Sequence, residues 1–288
     1  MFKYKDPIAE KGFVTLAIGK EYLKMAYILA LSIKCSQKEN ANISLICLEG
    51  DDISSYQHVF DRIVFLQKNS YVGKDFKKPM QDVYTLFYNS PYRETIYCEA
   101  DMIIPTDISH WWPLFQNYEM CMCNHVYNYK GEQIIDSYYR QHFAKTGLPT
   151  VYNAMMYWRR SVKAGKLFQQ ALSNMRNWNN WAKDFFPIGS YIPEEPHNDE
   201  CFAKAVLDNP PQDGSDVLQI PNFIHCKTKD NFKNDKITEM WTDHFHCHVS
   251  EDFKIYINNY QITRPFHYQD KGFVTDHLLN TLENTYGK

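Results

Sequence analysis

Long apolar runs are missing from this chain of 288 residues. No stretch approaches the roughly 18 consecutive apolar residues that a membrane span needs, and the first residues contain no signal-peptide core. Its eight cysteines include no Cys-x-x-Cys pair, and several lie in apolar runs that are typical of reduced core thiols. Internal repeats and low-complexity tracts are also missing. These absences exclude a disulfide scaffold and a repeat array, and they predict a cytoplasmic protein.

The composition is that of a globular protein. Hydrophobic residues make up 44% of the chain and aromatic residues 16%, which excludes a disordered protein. A chain of this length buries a large core. Because no clean linker interrupts it, we predict a single domain over residues 1–288, with a nucleotide-binding half over about 1–105 and an acceptor-side half over about 106–288.

Strand and helix patterns alternate through the first hundred residues. Leu23, Tyr27, Ala30 and Leu31 form one helical stripe, and it follows a β-branched apolar run that predicts a strand. This βαβ order predicts a mostly parallel sheet covered by helices. The predicted strands are 12–18, 43–48, 63–66 and 95–98, and the predicted helices are 21–34, 51–60 and 80–88.

The most informative short run is Ile96-Tyr-Cys-Glu99-Ala-Asp101-Met-Ile-Ile104, in which an apolar strand ends in two carboxylates. Residues i and i+2 of a strand point to the same side. Two carboxylates held together beside a core require a cation, and a hard divalent metal is the natural one. Ligands of parallel sheets bind outside the carboxyl ends of strands. Glu99 and Asp101 are therefore predicted metal ligands.

The second half is less regular. Its predicted strands are 120–126, 151–158 and 217–224, and its predicted helices are 162–178 and 198–207, the latter capped by Asn198 or Asp199.

Positive charge is concentrated between Val126 and Lys183. This segment contains nine Lys and Arg residues and two acidic residues, so its net charge is +7. Because the whole chain has a net charge of −3, the remaining residues carry −10. Aromatic and basic residues interleave in this segment, as in Tyr157-Trp158-Arg159-Arg160. This pattern suits backbone phosphates and base stacking, so a nucleic-acid partner is one hypothesis. A solvated basic helix face is the other.

His244, His246 and His248 form a His-x-His-x-His run. On a strand all three would project to one side, as in some metal hydrolases. A structural or surface role is favoured, since no carboxylate motif accompanies the run.

Five segments, in this order, resemble the GT-A glycosyltransferases of the glycogenin and bacterial galactosyltransferase group. Glu99 stands where that family has the first Asp of its DxD motif, Glu200 where it has Gln, and Met155 where it has Gly. The matching segments are 12–33, Ile96–Ile104, Tyr152-Asn153-Ala-Met-Met-Tyr, Asn198-Asp199-Glu200 and Ile224-His225-Cys226-Lys227.

The resemblance implies a GT-A fold, a divalent metal (Mn²⁺ or Mg²⁺) and a UDP-sugar donor. It adds His225 to the metal ligands Glu99 and Asp101, and it places Glu99 near the ribose. Asn153, Asp199 and Glu200 would face the donor sugar. The residues implied to bind the nucleotide are Leu16, Ala17, Ile18 and Tyr22 at the base and ribose, with Lys227 and Lys229 at the phosphates.

We therefore predict a glycosyltransferase, with retention of anomeric configuration favoured by the resemblance. The carboxylate at Glu200 suits a nucleophile or a general base, which leaves inversion open. The acceptor is a hydroxymethylated base in DNA on one hypothesis, and a protein, lipid-linked sugar or oligosaccharide on the others. The rival functions are a non-catalytic nucleotide-sugar-binding protein and a metal hydrolase built on the histidine run.

Overall fold

A computed structural model describes residues 9–68, 79–135, 140–186, 194–209, 217–218, 221–226 and 240–287. The strands are β1 (Ala9–Leu16), β2 (Ile43–Leu48), β3 (Arg62–Leu66), β4 (Tyr92–Cys98), β5 (Met102–Ile103), β6 (Met120–Cys123), β7 (Val126–Tyr127), β8 (Tyr152–Arg159), β9 (Val217–Leu218), β10 (Phe223–His225), β11 (Cys247–Val249), β12 (Ile255–Ile257), β13 (Tyr260–Ile262) and β14 (Phe266–His267).

The helices are α1 (Lys20–Ser36), α2 (Leu86–Asn89), α3 (Trp111–Phe115), α4 (Gln141–Thr146), α5 (Val162–Arg176), α6 (Trp178–Phe185), α7 (Asn198–Asp208) and α8 (Asp276–Tyr286). Short 3₁₀ turns cover Gln57–Val59, Pro79–Thr85, Trp241–Asp243 and Lys271–Phe273. Among the described residues, no helix has both the length and the apolar composition needed to cross a bilayer.

The large sheet has seven strands in the order β3-β2-β1-β4-β8-β6-β9. Strands β3, β2, β1 and β4 are parallel, β8 runs antiparallel to both of its neighbours, and β9 is parallel to β6. Both faces are covered, because Phe13 belongs to one buried cluster and Val14 to the other. The prediction of a mostly parallel sheet flanked by helices is confirmed.

A second sheet has the order β5-β14-β10-β7. Strand β14 pairs antiparallel with β5, so that His267 lies opposite Met102. It also pairs parallel with β10, which sets His225 beside His267. This small sheet therefore carries two histidines to the turn that contains Asp101. A separate three-stranded antiparallel sheet, β11-β12-β13, follows in the C-terminal region.

Several secondary-structure predictions need correction. The strand expected over 120–126 is divided between β6 and β7, which belong to different sheets. The helix expected over 80–88 consists of the 3₁₀ turn Pro79–Thr85 followed by the short helix α2. The helix expected over 51–60 is limited to the 3₁₀ turn Gln57–Val59, because the Asp52 side chain accepts hydrogen bonds from the backbone and hydroxyl of Ser54 and stabilises a turn instead. The strand expected over 217–224 is divided between β9 and β10, which belong to different sheets.

Candidate active site

Three strands bring the predicted site residues to one edge of the large sheet. Val14 pairs in parallel with Tyr97, so the end of β1 lies beside the turn that begins at Glu99. Strand β8 starts at this same edge, and the Glu99 N–H donates to the carbonyl of Ala154 over 2.9 Å. Leu16, Glu99 and Asn153, which are far apart in the sequence, are therefore neighbours.

The two carboxylates meet a histidine at this edge. His267 Nε2 lies 3.3 Å from Glu99 Oε2 and 3.2 Å from Asp101 Oδ1. One ligand atom from each of these residues lies within 4.8 Å of the other two. Among the described residues, Glu99, Asp101 and His267 form the group of acidic, His or Cys side chains whose ligand atoms all lie within 4.8 Å of one another.

The donor set fits a divalent cation. Two carboxylates and an imidazole are suitable ligands for Mn²⁺ or Mg²⁺, and the side chains are only 16%, 22% and 4% exposed for Glu99, Asp101 and His267. The surroundings are electronegative. Burial raises the pKa of Tyr97 and of Tyr268 well above the usual value, and the charge of Asp101 raises both further. A cation bound here would offset that charge.

His225, the predicted third ligand, occupies a different position. Its Nδ1 lies 3.1 Å from His267 Nδ1, and it is not a member of the group that satisfies the 4.8 Å distance. A contact to the second ring nitrogen of a metal-binding histidine fixes the orientation of that ring. The structure thus places His267 against the carboxylates and His225 against His267.

The other end of the site is formed by β8 and α7. Helix α7 begins at Asn198, and its N-cap residue is His197, with no side-chain cap bond. Asp199 therefore does not cap the helix as predicted. Its Oδ1 accepts a hydrogen bond from the Asn153 backbone N–H over 2.8 Å, and its Oδ2 forms an ion pair with Arg140.

Asn153 and Glu200 are both buried at this end. Asn153 is 5% exposed, and its side-chain Nδ2 has no hydrogen-bond partner. Glu200 is 3% exposed, with Oε1 3.5 Å from His197 Nδ1. A buried amide donor that lacks a partner is costly unless a ligand satisfies it. The pair therefore has the character of a polar ligand subsite.

The end of β1 is mostly apolar. Leu16 and Ala17 are buried, and Ile18 and Tyr22 are half-buried. The Lys271 ammonium lies 5.5 Å from the centre of the Tyr22 ring and forms an ion pair with Glu21. Lys227 and Lys229, the predicted phosphate ligands, lie outside the described residues. Lys271 is a cation that the sequence analysis did not consider.

The histidine run lacks the geometry that a metal hydrolase needs. Only His248 belongs to a strand, β11, whereas His244 follows the 3₁₀ turn Trp241–Asp243 and His246 precedes the strand. All three are exposed. The three side chains therefore do not project together from one strand, and their exposure agrees with a surface role.

The interleaved aromatic and basic residues have structural contacts. Tyr157 and Trp158 are fully buried, so their rings are not available for base stacking. Arg159 forms an ion pair with Glu119, and Arg160 donates to the Ser90 carbonyl over 2.6 Å. Tyr138 and Tyr139 lie outside the described residues. Residues 157–160 therefore give no support to a nucleic-acid acceptor.

Two residues of this site, His267 and Arg140, were missed by the sequence analysis. His267 stands in the apolar run Pro265-Phe-His-Tyr268, which is the same signal that drew attention to His225 in Phe223-Ile-His-Cys226. The sequence does not show which of the two histidines lies against the carboxylates. The pairing of β14 with β5 brings His267 to them. Arg140 stands in the basic segment 126–183, but nothing in the sequence indicates its pairing with Asp199, which is 59 residues away.

No family model and no curated protein matches the chain. Among solved structures it is similar to the galactosyltransferase LgtC in complex with donor and acceptor sugar analogues, with 11% identity, a TM-score of 0.54 and 95% of each chain covered. It is also similar to the apo form of mouse xyloside xylosyltransferase 1, with 10% identity, a TM-score of 0.47, and 82% of this chain and 90% of that chain covered. The protein therefore has the GT-A glycosyltransferase fold, in a divergent form.

Proposed function

We propose that the protein is a metal-dependent glycosyltransferase that moves a sugar from a UDP-sugar to an acceptor hydroxyl. The observation that carries this proposal is the Glu99, Asp101 and His267 group at the carboxyl end of β4, next to the end of β1. In an open sheet of this kind, ligands bind at that edge. The GT-A fold adds support at the level of analogy.

Each part of the site has a role in this proposal. Glu99, Asp101 and His267 would hold a divalent ion, which would supply Lewis-acid stabilisation of the charge on the departing diphosphate. The end of β1 (Leu16, Ala17, Ile18) and Tyr22 hold the base and ribose, with Glu99 close to the ribose. Lys271, together with Lys227 and Lys229 as the sequence suggests, adds positive charge for the phosphates.

The chemical step takes place at the β8 and α7 end. Asn153 donates its side-chain amide to a sugar hydroxyl, and Glu200 is the carboxylate at the anomeric carbon. As nucleophile, Glu200 forms a bond to that carbon while the bond to the diphosphate breaks. The acceptor hydroxyl oxygen then displaces the carboxylate and its proton passes to the released diphosphate, so that the configuration is retained. As general base, Glu200 would instead remove the acceptor proton during a single inverting displacement.

A donor screen tests this function. The purified protein is incubated with Mn²⁺ and a panel of UDP-sugars, and both UDP release and the midpoint of thermal unfolding are measured, with and without EDTA. We expect one donor to be hydrolysed and to raise the midpoint, with both effects lost in EDTA. Binding without turnover would indicate the non-catalytic binder, and neither binding nor turnover would refute the proposal.

The stereochemistry has its own measurement. Proton NMR of the freshly formed product distinguishes the two anomers before they equilibrate. We propose retention, because Glu200 provides a buried carboxylate at the sugar end. An inverted product would assign the general-base role to that residue.

A further inference from the structure

Arg140 is a tightly enclosed cation near the site. Its side chain is 12% exposed, and its guanidinium carbon lies 3.6 Å from the centre of the Tyr152 ring and 4.7 Å from that of Phe143. Nη1 donates to the Val151 carbonyl over 2.5 Å, and Nη2 pairs with Asp199. An arginine stacked on one side and bonded at two nitrogens has little freedom to move.

Asp199 is held by both of its oxygens. Oδ2 meets Arg140, and Oδ1 meets the Asn153 N–H on β8. The carboxylate therefore connects the first turn of α7 to the first residues of β8. Of the two residues proposed to act on the sugar, Asn153 makes one of these contacts through its own backbone N–H, and Glu200 directly follows Asp199 in the chain.

We propose that Arg140 is a positioning residue of the sugar site, which holds Asp199 against the Asn153 backbone and so fixes the relative placement of Asn153 and Glu200. It acts through Asp199 and does not contact the donor. This inference rests on the proposed function for its catalytic part. Its geometric part, the link between β8 and α7, stands on the contacts alone.

The charge of Arg140 also has a purpose in this arrangement. Glu200 and Asp199 are adjacent carboxylates, and the diphosphate of a nucleotide sugar would bring further negative charge. Arginine stays ionised even when it is buried. Lysine at this position would keep the charge, but it has neither the planar surface that stacks on Tyr152 nor the fork that reaches the Val151 carbonyl and Asp199 together.

The test compares Arg140→Met, Arg140→Lys, Asp199→Asn and the double variant Arg140→Met/Asp199→Asn with the wild type. Arg93→Met is the matched control, because Arg93 also forms an ion pair, with Glu10, but it is exposed. Turnover of the donor found in the screen is normalised to folded protein. UDP with Mn²⁺ is the binding probe, since UDP lacks the sugar.

We expect Arg140→Met to lower kcat about 10- to 100-fold, as a displacement of about 1 Å does, and to leave the Kd for UDP within about twofold. Arg140→Lys should restore part of kcat. The double variant should lose no more than the worse single variant, because both changes break the same contact. Unchanged kcat in Arg140→Met, or additive losses in the double variant, would overturn the positioning role.

Hydrogen exchange provides a readout that does not depend on turnover. The Asn153 amide should exchange faster in Arg140→Met than in Arg93→Met or the wild type, since its acceptor is no longer held. An unchanged exchange rate would overturn the inference even if the enzyme is active. If the wild type neither binds UDP nor turns over a donor, the proposed function fails while the exchange experiment still decides the geometric link.

Discussion

Asp101 and Asp199 are carboxylates at the same edge of the large sheet, but they meet different partners. Asp101 lies with Glu99 against the imidazole of His267, which carries a positive charge only when it is protonated. Asp199 lies against the guanidinium of Arg140, which is always charged. The protein thus supplies a permanent cation to one carboxylate, and it gathers suitable ligands for an external cation around the other.

The difference in partners indicates different roles for the two carboxylates. The Asp199 contacts join β8 to α7 through protein groups alone. The Asp101 contacts place three ligand atoms within reach of one ion. Substitutions at the two carboxylates should therefore affect metal binding, turnover and stability in different proportions.

The largest effect is expected for Asp101→Asn. This change removes one anionic ligand and adds no bulk, so turnover should fall about a thousandfold, equivalent to about 4 kcal/mol of lost transition-state stabilisation. The stabilisation by Mn²⁺ in thermal unfolding should disappear, while Asp199→Asn should keep it. Glu99→Gln should be milder if Glu99 mainly positions the ribose. A fully active Asp101→Asn variant would contradict the metal site.

A smaller loss is expected for Glu200→Gln. Removing a positioned nucleophile or acid–base group should lower kcat by at least about a hundredfold, with the Mn²⁺ response unchanged. Steady-state kinetics with the selected donor measures the first effect, and thermal unfolding measures the second. Activity close to wild type would mean that Glu200 only occupies the place of the family's amide.

The two histidines should differ in degree. His267→Ala removes a direct ligand, whereas His225→Ala removes the contact that orients it, for which a 10- to 100-fold loss of metal affinity is typical. Titration of each folded variant with Mn²⁺ gives both affinities. The opposite ranking would restore His225 as the ligand, as the sequence resemblance implied.

The smallest effect concerns stability without metal. Asp199→Asn weakens charged hydrogen bonds at a side chain that is 27% exposed, so the free energy of unfolding should fall by about 1–2 kcal/mol after allowance for solvent screening. Asp101→Asn should be neutral or stabilising in EDTA, because it relieves repulsion with Glu99. Urea denaturation in EDTA compares the two. Equal losses would show that the two carboxylates have the same structural role.

Much of the fold follows from local pattern. The apolar runs ending near Leu16, Leu48 and Cys98 become β1, β2 and β4, because a continuous apolar run that includes β-branched residues suits a strand that is buried on both faces. The run 51–60 was misjudged, since the turn at Asp52 depends on a side-chain bond that competes with a helix. The two-residue strand β14 is too brief to predict.

The sequence by itself determined the carboxylate pair, because Glu99 and Asp101 are two residues apart at the end of one strand and local geometry sets them side by side. It also determined the order of the segments that resemble a GT-A protein. Only the tertiary structure shows which histidine lies against these carboxylates and which arginine pairs with Asp199. His267 reaches Asp101 through the pairing of β14 with β5, and Arg140 reaches Asp199 across 59 residues. Contacts of that kind produce no recognisable periodicity or residue spacing in the sequence, because they form where separate elements pack together.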